Sequence, residues 1–315
     1  MSFRKKIVLV LGNTGFLGSH VIKILRKKKT YKVFGASSSL GQNFLEFQKT
    51  CKFLKKIRPD YILNCASFGG SLHYVMKNPA TIINNNAKII LNLYSSTLQL
   101  RKKPKIINAM ANCSYAANVN IQKESNWLDG PVHDSVFSFG NITRMKYFVS
   151  KAWFDQYKTK SVNLIFGGLY GPNDHLEDHR LHAFDGIILR MTKAKMSGKK
   201  NFDIWGTGKP IREWIYIEDA AKAMVEAMKI KDNNPKPINV SQNLSLSINK
   251  IAEVAKKYLK FNCKIKHDLK FKDGAYKKIL QRSKRYSQLF PNFKFTNFDE
   301  SVKRTVKYYE EALKK

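Results

Sequence analysis

Short apolar runs alternate with longer stretches in which apolar residues recur every three or four positions. "KIVLVLG" (6–12) reads as a strand. "GFLGSHVIKILRKKK" (15–29) has helical spacing and ends in cations, which suit a helix C-terminus. "YKVFGAS" (31–37) is a second strand. "NFLEFQKTCKFLKKIRPD" (43–60) reads as a helix stopped by Pro59, and "YILNCAS" (61–67) as a strand. A long helix is expected over 79–100, a strand over 104–112, a helix over 142–160 and a strand over 161–171. Repeated strand–helix units of this kind predict a mostly parallel sheet covered by helices. After residue 171 the pattern changes to helices at 185–196, 218–230, 249–260 and 298–315, with loops and shorter strands between them. Two units follow: 1–170, expected to bind a dinucleotide, and 171–315, a smaller α/β unit expected to bind substrate. Some exchange between them is expected around 212–230.

The chain has 315 residues and is 43% hydrophobic, enough for a sizeable core. No apolar run reaches the ~20 residues that span a bilayer. The basic start followed by a short apolar run leads straight into a glycine-rich turn, so it reads as a first strand and not as a signal peptide. An intracellular, cytoplasmic chain is expected. Cys51, Cys65, Cys113 and Cys263 are scattered without ligand spacing, which predicts reduced thiols and no metal site. The 57 Lys and Arg against 23 Asp and Glu give a formal charge of +34. Anionic partners fit such a charge. The lysines are dispersed, however, and no Arg/aromatic RNA motif accompanies them, so a solvated lysine bias is preferred and nucleic acid is not an expected partner.

"LGNTGFLGSH" places Gly12, Gly15 and Gly18 between a strand and a helix. The first glycine allows the tight turn, the second lets the backbone approach a pyrophosphate, and the third lets helix pack on strand. The helix N-terminus then offers free N–H groups to the phosphates. Asn13, Thr14, Phe16 and Leu17 belong to the same turn. After the second strand, Ser37 and Ser38 stand where a ribose-binding carboxylate is usual, which favours NADP(H) over NAD(H).

"YGPNDHLEDHRLH" (170–182) and "WGTGKPIREWIYIEDAAKAM" (205–224) resemble the extended short-chain dehydrogenase/reductase family, the NAD-dependent epimerase/dehydratases, and within it the GDP-L-fucose synthase group. "NCASFGG" with "NNNAKIILN", and "GPVHDS" with a following "RM", match the same group. The resemblance spans nearly the whole chain. It implies a Rossmann-type doubly wound sheet with a C-terminal substrate domain and a homodimer through the helices at 79–100 and 142–159. It also implies a GDP-linked 4-keto-6-deoxy sugar as substrate. That sugar would be epimerised at C3 and C5 by a cysteine and a histidine, then reduced at C4 with a tyrosine and a lysine. Carried over, Cys113 is the catalytic cysteine and His182 the histidine, with His179 a rival. Asn43, Phe44, Ala66 and Ser67 line the cofactor, and Arg190, Trp205, Arg212 and Lys278 meet the substrate.

The departures from the group matter equally. In a gapless register up to "YGP", Phe139 stands at the tyrosine, Thr143 at the lysine, Ala111 at a serine or threonine, Gly168 at an asparagine and Asp185 at a proline. Tyr147 and Lys151 have the right mutual spacing, but lie ~12 Å farther along the helix. Epimerisation by Cys113 as base and His182 as acid is therefore expected to survive, and efficient C4 reduction is not. The alternatives are a non-catalytic subunit that binds cofactor or sugar nucleotide beside an active paralogue, and a basic nucleic-acid-binding module on this scaffold.

Overall fold

The computed structural model describes residues 4–177, 181–232 and 234–314. Its strands are β1 (Lys6–Leu11), β2 (Tyr31–Ala36), β3 (Tyr61–Asn64), β4 (Lys105–Ala111), β5 (Ile121–Gln122), β6 (Ser161–Phe166), β7 (Gly168–Tyr170), β8 (Asn201–Trp205), β9 (Ile211–Tyr216), β10 (Ile238–Val240), β11 (Ser245–Ser247), β12 (Lys264–Asp268) and β13 (Lys277–Leu280). The helices are α1 (Phe16–Lys27), α2 (Phe47–Ile57), α3 (Leu72–Lys77), α4 (Pro79–Thr97), α5 (Phe137–Tyr157), α6 (Ala183–Met196), α7 (Ile217–Glu226), α8 (Ile248–Tyr258), α9 (Lys284–Leu289) and α10 (Phe298–Ala312).

Six strands form one parallel sheet in the order β10-β6-β4-β3-β1-β2. The chain reverses its direction of winding between β1 and β3, the kind of switch point where a doubly wound sheet binds its ligand. Alternation along β1 explains the layers. Val8 and Val10 join the core shared with α1 and α7, while Leu9 and Leu11 join the core under α2, α4 and α5. Both faces of the strand are buried, so its sequence reads as an unbroken apolar run. Each Val or Leu so buried contributes ~1.5–3 kcal/mol.

One polar line crosses this core. Asn64, Asn108 and Asn163 stand in register on β3, β4 and β6, all with no exposure. Asn64 Nδ2 donates to Asn108 Oδ1 at 3.0 Å, and Asn108 Nδ2 to Asn163 Oδ1 and to the Tyr94 hydroxyl, each at 2.8 Å. Asn163 Nδ2 donates to Ser150 Oγ at 2.8 Å and to the Pro235 carbonyl at 2.6 Å.

The segment 161–171, expected as one strand, divides at Gly167. β6 stays in the parallel sheet and β7 pairs with β9 in a second sheet, of order β11-β9-β13-β5. A Cβ on Gly167 would lie 2.6 Å from the Glu213 carbonyl oxygen, so only glycine permits the crossing. β8 and β12 form a separate parallel pair, and α6, α8 and α10 pack together beside it. Two elements from the second half complete the first layer: α7 packs on α1, and β10 forms the sheet edge beside β6.

Candidate functional site

The glycine turn follows β1 at the C-terminal end of the sheet. Gly12 has φ +72°, which only glycine adopts readily. A Cβ there would come within 2.9 Å of the Ala66 backbone, so the turn lies directly against the chain leaving β3. A Cβ on Gly18 would meet the Gly12 carbonyl oxygen at 2.0 Å, which is why α1 can press onto the turn. Gly15 is the N-cap of α1 and offers no side-chain cap, leaving first-turn N–H groups without a side-chain acceptor. Asn13 Oδ1 is buried with no hydrogen-bond partner. Thr14 Oγ1 lies 2.9 Å from Ser39 Oγ, which lies 3.0 Å from Ser37 Oγ, and Ser38 starts a short 3-10 turn. Close-packed glycines, an uncapped helix start, an orphaned amide oxygen and a hydroxyl cluster together fit a dinucleotide pyrophosphate and its adenosine ribose.

The loop after β3 is fixed by a residue of α4. Asn86 Nδ2 donates to the Phe68 carbonyl at 2.7 Å, and the Phe68 N–H donates to Asn86 Oδ1 at 2.9 Å. Ser67 on this loop is exposed. Beyond β2, Asn43 Oδ1 accepts from the Leu45 N–H at 3.3 Å. Phe44 is buried, and its carbonyl accepts from Asn92 Nδ2 at 2.9 Å.

α5 carries Phe139 and Thr143, the positions that the sequence register reads as substituted. The Phe139 ring packs against Gly69, 2.9 Å from where a Cβ would stand. The Thr143 hydroxyl donates to the Phe139 carbonyl at 2.9 Å, so it caps its own helix turn. Tyr147 packs edge-on against Trp127, with centroids 5.1 Å apart, and Lys151 is an exposed partner of Asp155. Lys146, one turn beyond Thr143, is buried, and its ammonium donates to the Ala109 carbonyl at 2.9 Å. Burial lowers its pKa to about 8, against the pull of the neighbouring Cys65 thiol.

Ala111 ends β4 and Cys113 follows in a 3-10 turn. Cys113 is only partly covered as a residue, yet its sulfur is desolvated, which pushes the thiol up to about 12. In the free protein it is therefore protonated at neutral pH, which opposes a base. His182 stands just before α6, its side chain 44% exposed. Its Nδ1 lies 2.9 Å from Asp174 Oδ2, and its backbone N–H donates to the same oxygen at 3.1 Å. Burial raises the Asp174 pKa, but the His182 ring and backbone N–H outweigh it and hold the carboxyl below its usual value. The His182 ring lies 5.4 Å from Phe16 of the glycine turn, centroid to centroid. His179 falls outside the described residues.

The other departures have local causes. Asp185, fully buried, accepts from the Gly171 N–H at 3.1 Å, so it fastens the "YGP" loop. Burial, with Asp174 nearby, raises its pKa well above the usual range. A Cβ on Gly168 would lie 2.6 Å from the Trp214 ring, which occupies the space an asparagine would need.

On the facing side, the Arg190 guanidinium sits 4.2 Å over the Trp205 ring, and Trp205 stacks on Phe271 at 4.8 Å. Trp205 remains 47% exposed. Arg212 donates to the Ile211 and Tyr276 carbonyls. A Cβ on Gly274 would be 3.6 Å from the Arg212 guanidinium and 3.7 Å from Leu72, so the 270–276 loop faces the start of α3. Lys278 pairs with Arg212 across β13 and β9, and its ammonium donates to the carbonyls of Ala116, Ala117 and Val119. Burial, then the Arg212 charge, lowers its pKa to about 8. Sequence reasoning missed Asp174, Asn86, Lys146 and Phe271. Asp174 alone had a local signal, a carboxylate eight residues before His182 inside the motif.

The model of the NAD dependent epimerase/dehydratase family matches residues 8–241. The chain belongs to this family. Among curated epimerase/dehydratases it is 26% identical over 310 residues to the GDP-L-fucose synthase of Dictyostelium discoideum, covering 97% of this chain and 95% of that one. The solved GDP-L-fucose synthetase of Naegleria fowleri bound to NADP superposes with a TM-score of 0.83 at 23% identity, over 98% of this chain and 94% of that one. A GDP-6-OMe-4-keto-L-xylo-heptose reductase from C. jejuni gives 0.87 at 19% identity, over 98% of each chain. These structural likenesses establish the Rossmann-type fold. Among the described residues, no three His, Cys, Asp or Glu side chains gather to hold a metal ion, and no helix is long and apolar enough to cross a membrane.

Proposed function

We infer that this epimerase/dehydratase family member is a nucleotide-sugar-modifying enzyme acting on a GDP-linked 4-keto-6-deoxy sugar, retaining C3/C5 epimerisation without efficient C4 reduction. The observation that carries this reading is the Asp174–His182 pair beside the glycine turn, a proton-moving group next to a dinucleotide cradle. The curated relatives named as GDP-L-fucose synthases supply the substrate class. The serine hydroxyls after β2 favour NADP(H), and a bound nicotinamide supplies or accepts hydride. The chain's own residues supply the rest. Ionised Asp174 holds the His182 ring through its Nδ1, and His182 takes a proton from a carbon acidified by the ketone. Cys113, protonated in the free protein, returns one. This reverses the roles expected from the sequence, because desolvation opposes a Cys113 thiolate. At C4, Phe139 has no proton to give and Thr143 no charge.

Incubation with GDP-4-keto-6-deoxy-mannose in heavy water is expected to place deuterium at C3 or C5. Cys113→Ala should slow this ~10²–10⁴-fold. Lack of incorporation with any GDP- or dTDP-4-keto sugar defeats the reading and favours the alternative, a non-catalytic subunit beside an active paralogue. The buried Cys113 thiol is the feature that speaks for that alternative.

Exposed Ile83 and Leu91 on α4 and Phe148 on α5 give the helix pair an apolar outer face, which supports a homodimer through it. Light scattering should give twice the chain mass, and Phe148→Glu should return the monomer; a monomeric parent rules the dimer out.

A further inference from the structure

The strongest unassigned feature lies at the opposite end of the parallel sheet from the glycine turn. A cavity of about 530 Å³ opens among the starts of β1, β3 and β4, the turn before β6 and the segment after α7. It is lined by eight lysines and a single carboxylate, Asp60. β1 alone separates it from the glycine turn by six residues, about 20 Å of strand. Anything bound here is therefore remote from the cofactor.

The charge in this cavity is not balanced from within. Asp60 already accepts from Lys102 at 2.8 Å and from the Ile7 N–H at 3.0 Å, with Lys6 3.8 Å away. Lys105 donates to the carbonyls of Met228 and Ile230, and Lys229 pairs with Glu226. Among the described residues, the ammonium groups of Lys160 and Lys231 have no hydrogen-bond or ion-pair partner. Burial, then the nearby Lys160 charge, lowers the Lys105 pKa to about 8, against the opposing pull of Asp232.

We propose that this cavity is a second ligand site, for a compact oligophosphate carrying several phosphate groups. The volume is that of a small-molecule site. Lysine ammonium groups bind phosphate as point charges from many directions, and several phosphates are needed to match so many of them. Among the described residues, no arginine lines the cavity and Tyr61 is its only aromatic residue, so they offer bases little stacking platform. That separates the site from a nucleic-acid groove. The proposal does not depend on the sugar chemistry at the other end of the sheet.

The test is calorimetric titration of the full chain in about 0.15 M salt, with inorganic tripolyphosphate in one arm and inositol hexakisphosphate in the other. One ligand per chain is expected. The tighter arm tells a linear chain from a phosphorylated ring. Lys160→Gln with Lys231→Gln should weaken binding about tenfold or more, since two charges lining the cavity are removed. These side chains make no internal bonds, so the melting temperature should be unchanged. Lys199→Gln with Lys200→Gln, on an exposed turn before β8, should leave binding unchanged. Absence of binding in both arms overturns the proposal. So do equal losses in the two double variants, which mean non-specific charge. Competition by NADPH overturns it too, because it puts the phosphates at the glycine turn. Tighter binding of a twelve-nucleotide single strand that displaces tripolyphosphate makes the face a nucleic-acid surface instead.

Discussion

Phe139→Tyr combined with Thr143→Lys is expected to raise C4 reduction of a GDP-linked 4-keto-6-deoxy sugar by ~10²–10⁴-fold over the parent chain. The physical case rests on what each position lacks. Phe139 already presents a ring against Gly69, so a tyrosine adds only its hydroxyl to that face. The Thr143 hydroxyl is occupied by the Phe139 carbonyl and brings no charge to lower a tyrosine's pKa. Lys146 does not fill the gap, because its ammonium is fixed on Ala109 a turn away. Phe139→Tyr alone should recover less than the pair, since its hydroxyl would keep an ordinary pKa. If Ala111 stands where the group has its serine or threonine, as the register reads it, Ala111→Ser should add to the gain. Loss of NADPH absorbance in single-turnover mixing reads the rate directly. If the double variant reduces no faster than the parent, the gapless register that puts Phe139 at the acid position is wrong.

Asn108→Leu is expected to lower unfolding free energy by about 3–5 kcal/mol. The side chains are similar in size, so the cost comes from stranded partners and not from a cavity. Asn64 Nδ2 and Asn163 Oδ1 would each lose their bond to Asn108 in a fully buried site, and the Tyr94 hydroxyl would lose one of two partners. That loss is a large fraction of the ~5–15 kcal/mol by which domains are stable. Urea unfolding followed by far-UV dichroism measures it, provided both proteins unfold in one transition. A loss below about 1 kcal/mol would mean that the asparagine line relaxes locally or exchanges partners at little cost.

The parallel layer was legible because its strands and helices are long enough to show their periods. β1, α1, β2 and β4 stand where the apolar pattern puts them. The second sheet was not, because β7 and β11 have three residues each and β5 has two, too few to show alternation, and the same holds for the three-residue edge strand β10 of the parallel sheet. The start of α5 was also misplaced. The helix was expected from Ile142 but begins at Phe137, running through Gly140. That glycine costs helix propensity, yet a Cβ there would strike the Cys113 carbonyl at 2.8 Å, so packing overrides local preference. The glycine turn could be read from spacing and context. The environment of the candidate catalytic groups was less legible: Asp174 offered only its spacing to His182 and the contact forms when the chain folds back, while the burial that protonates Cys113 comes from surrounding layers.

The edge position of β10 bears on how such chains can be recombined. A cut near residue 170 looks like a natural seam, but the segment beyond it returns to lay α7 on α1 and β10 beside β6. A chimera that took everything after that point from a relative would import the cover of its own parallel-sheet layer. The α1–α7 contact would then be a mismatched interface inside a single core. The two halves are therefore separable in sequence but not as exchangeable modules, and a workable graft must leave residues 217–240 with the first half.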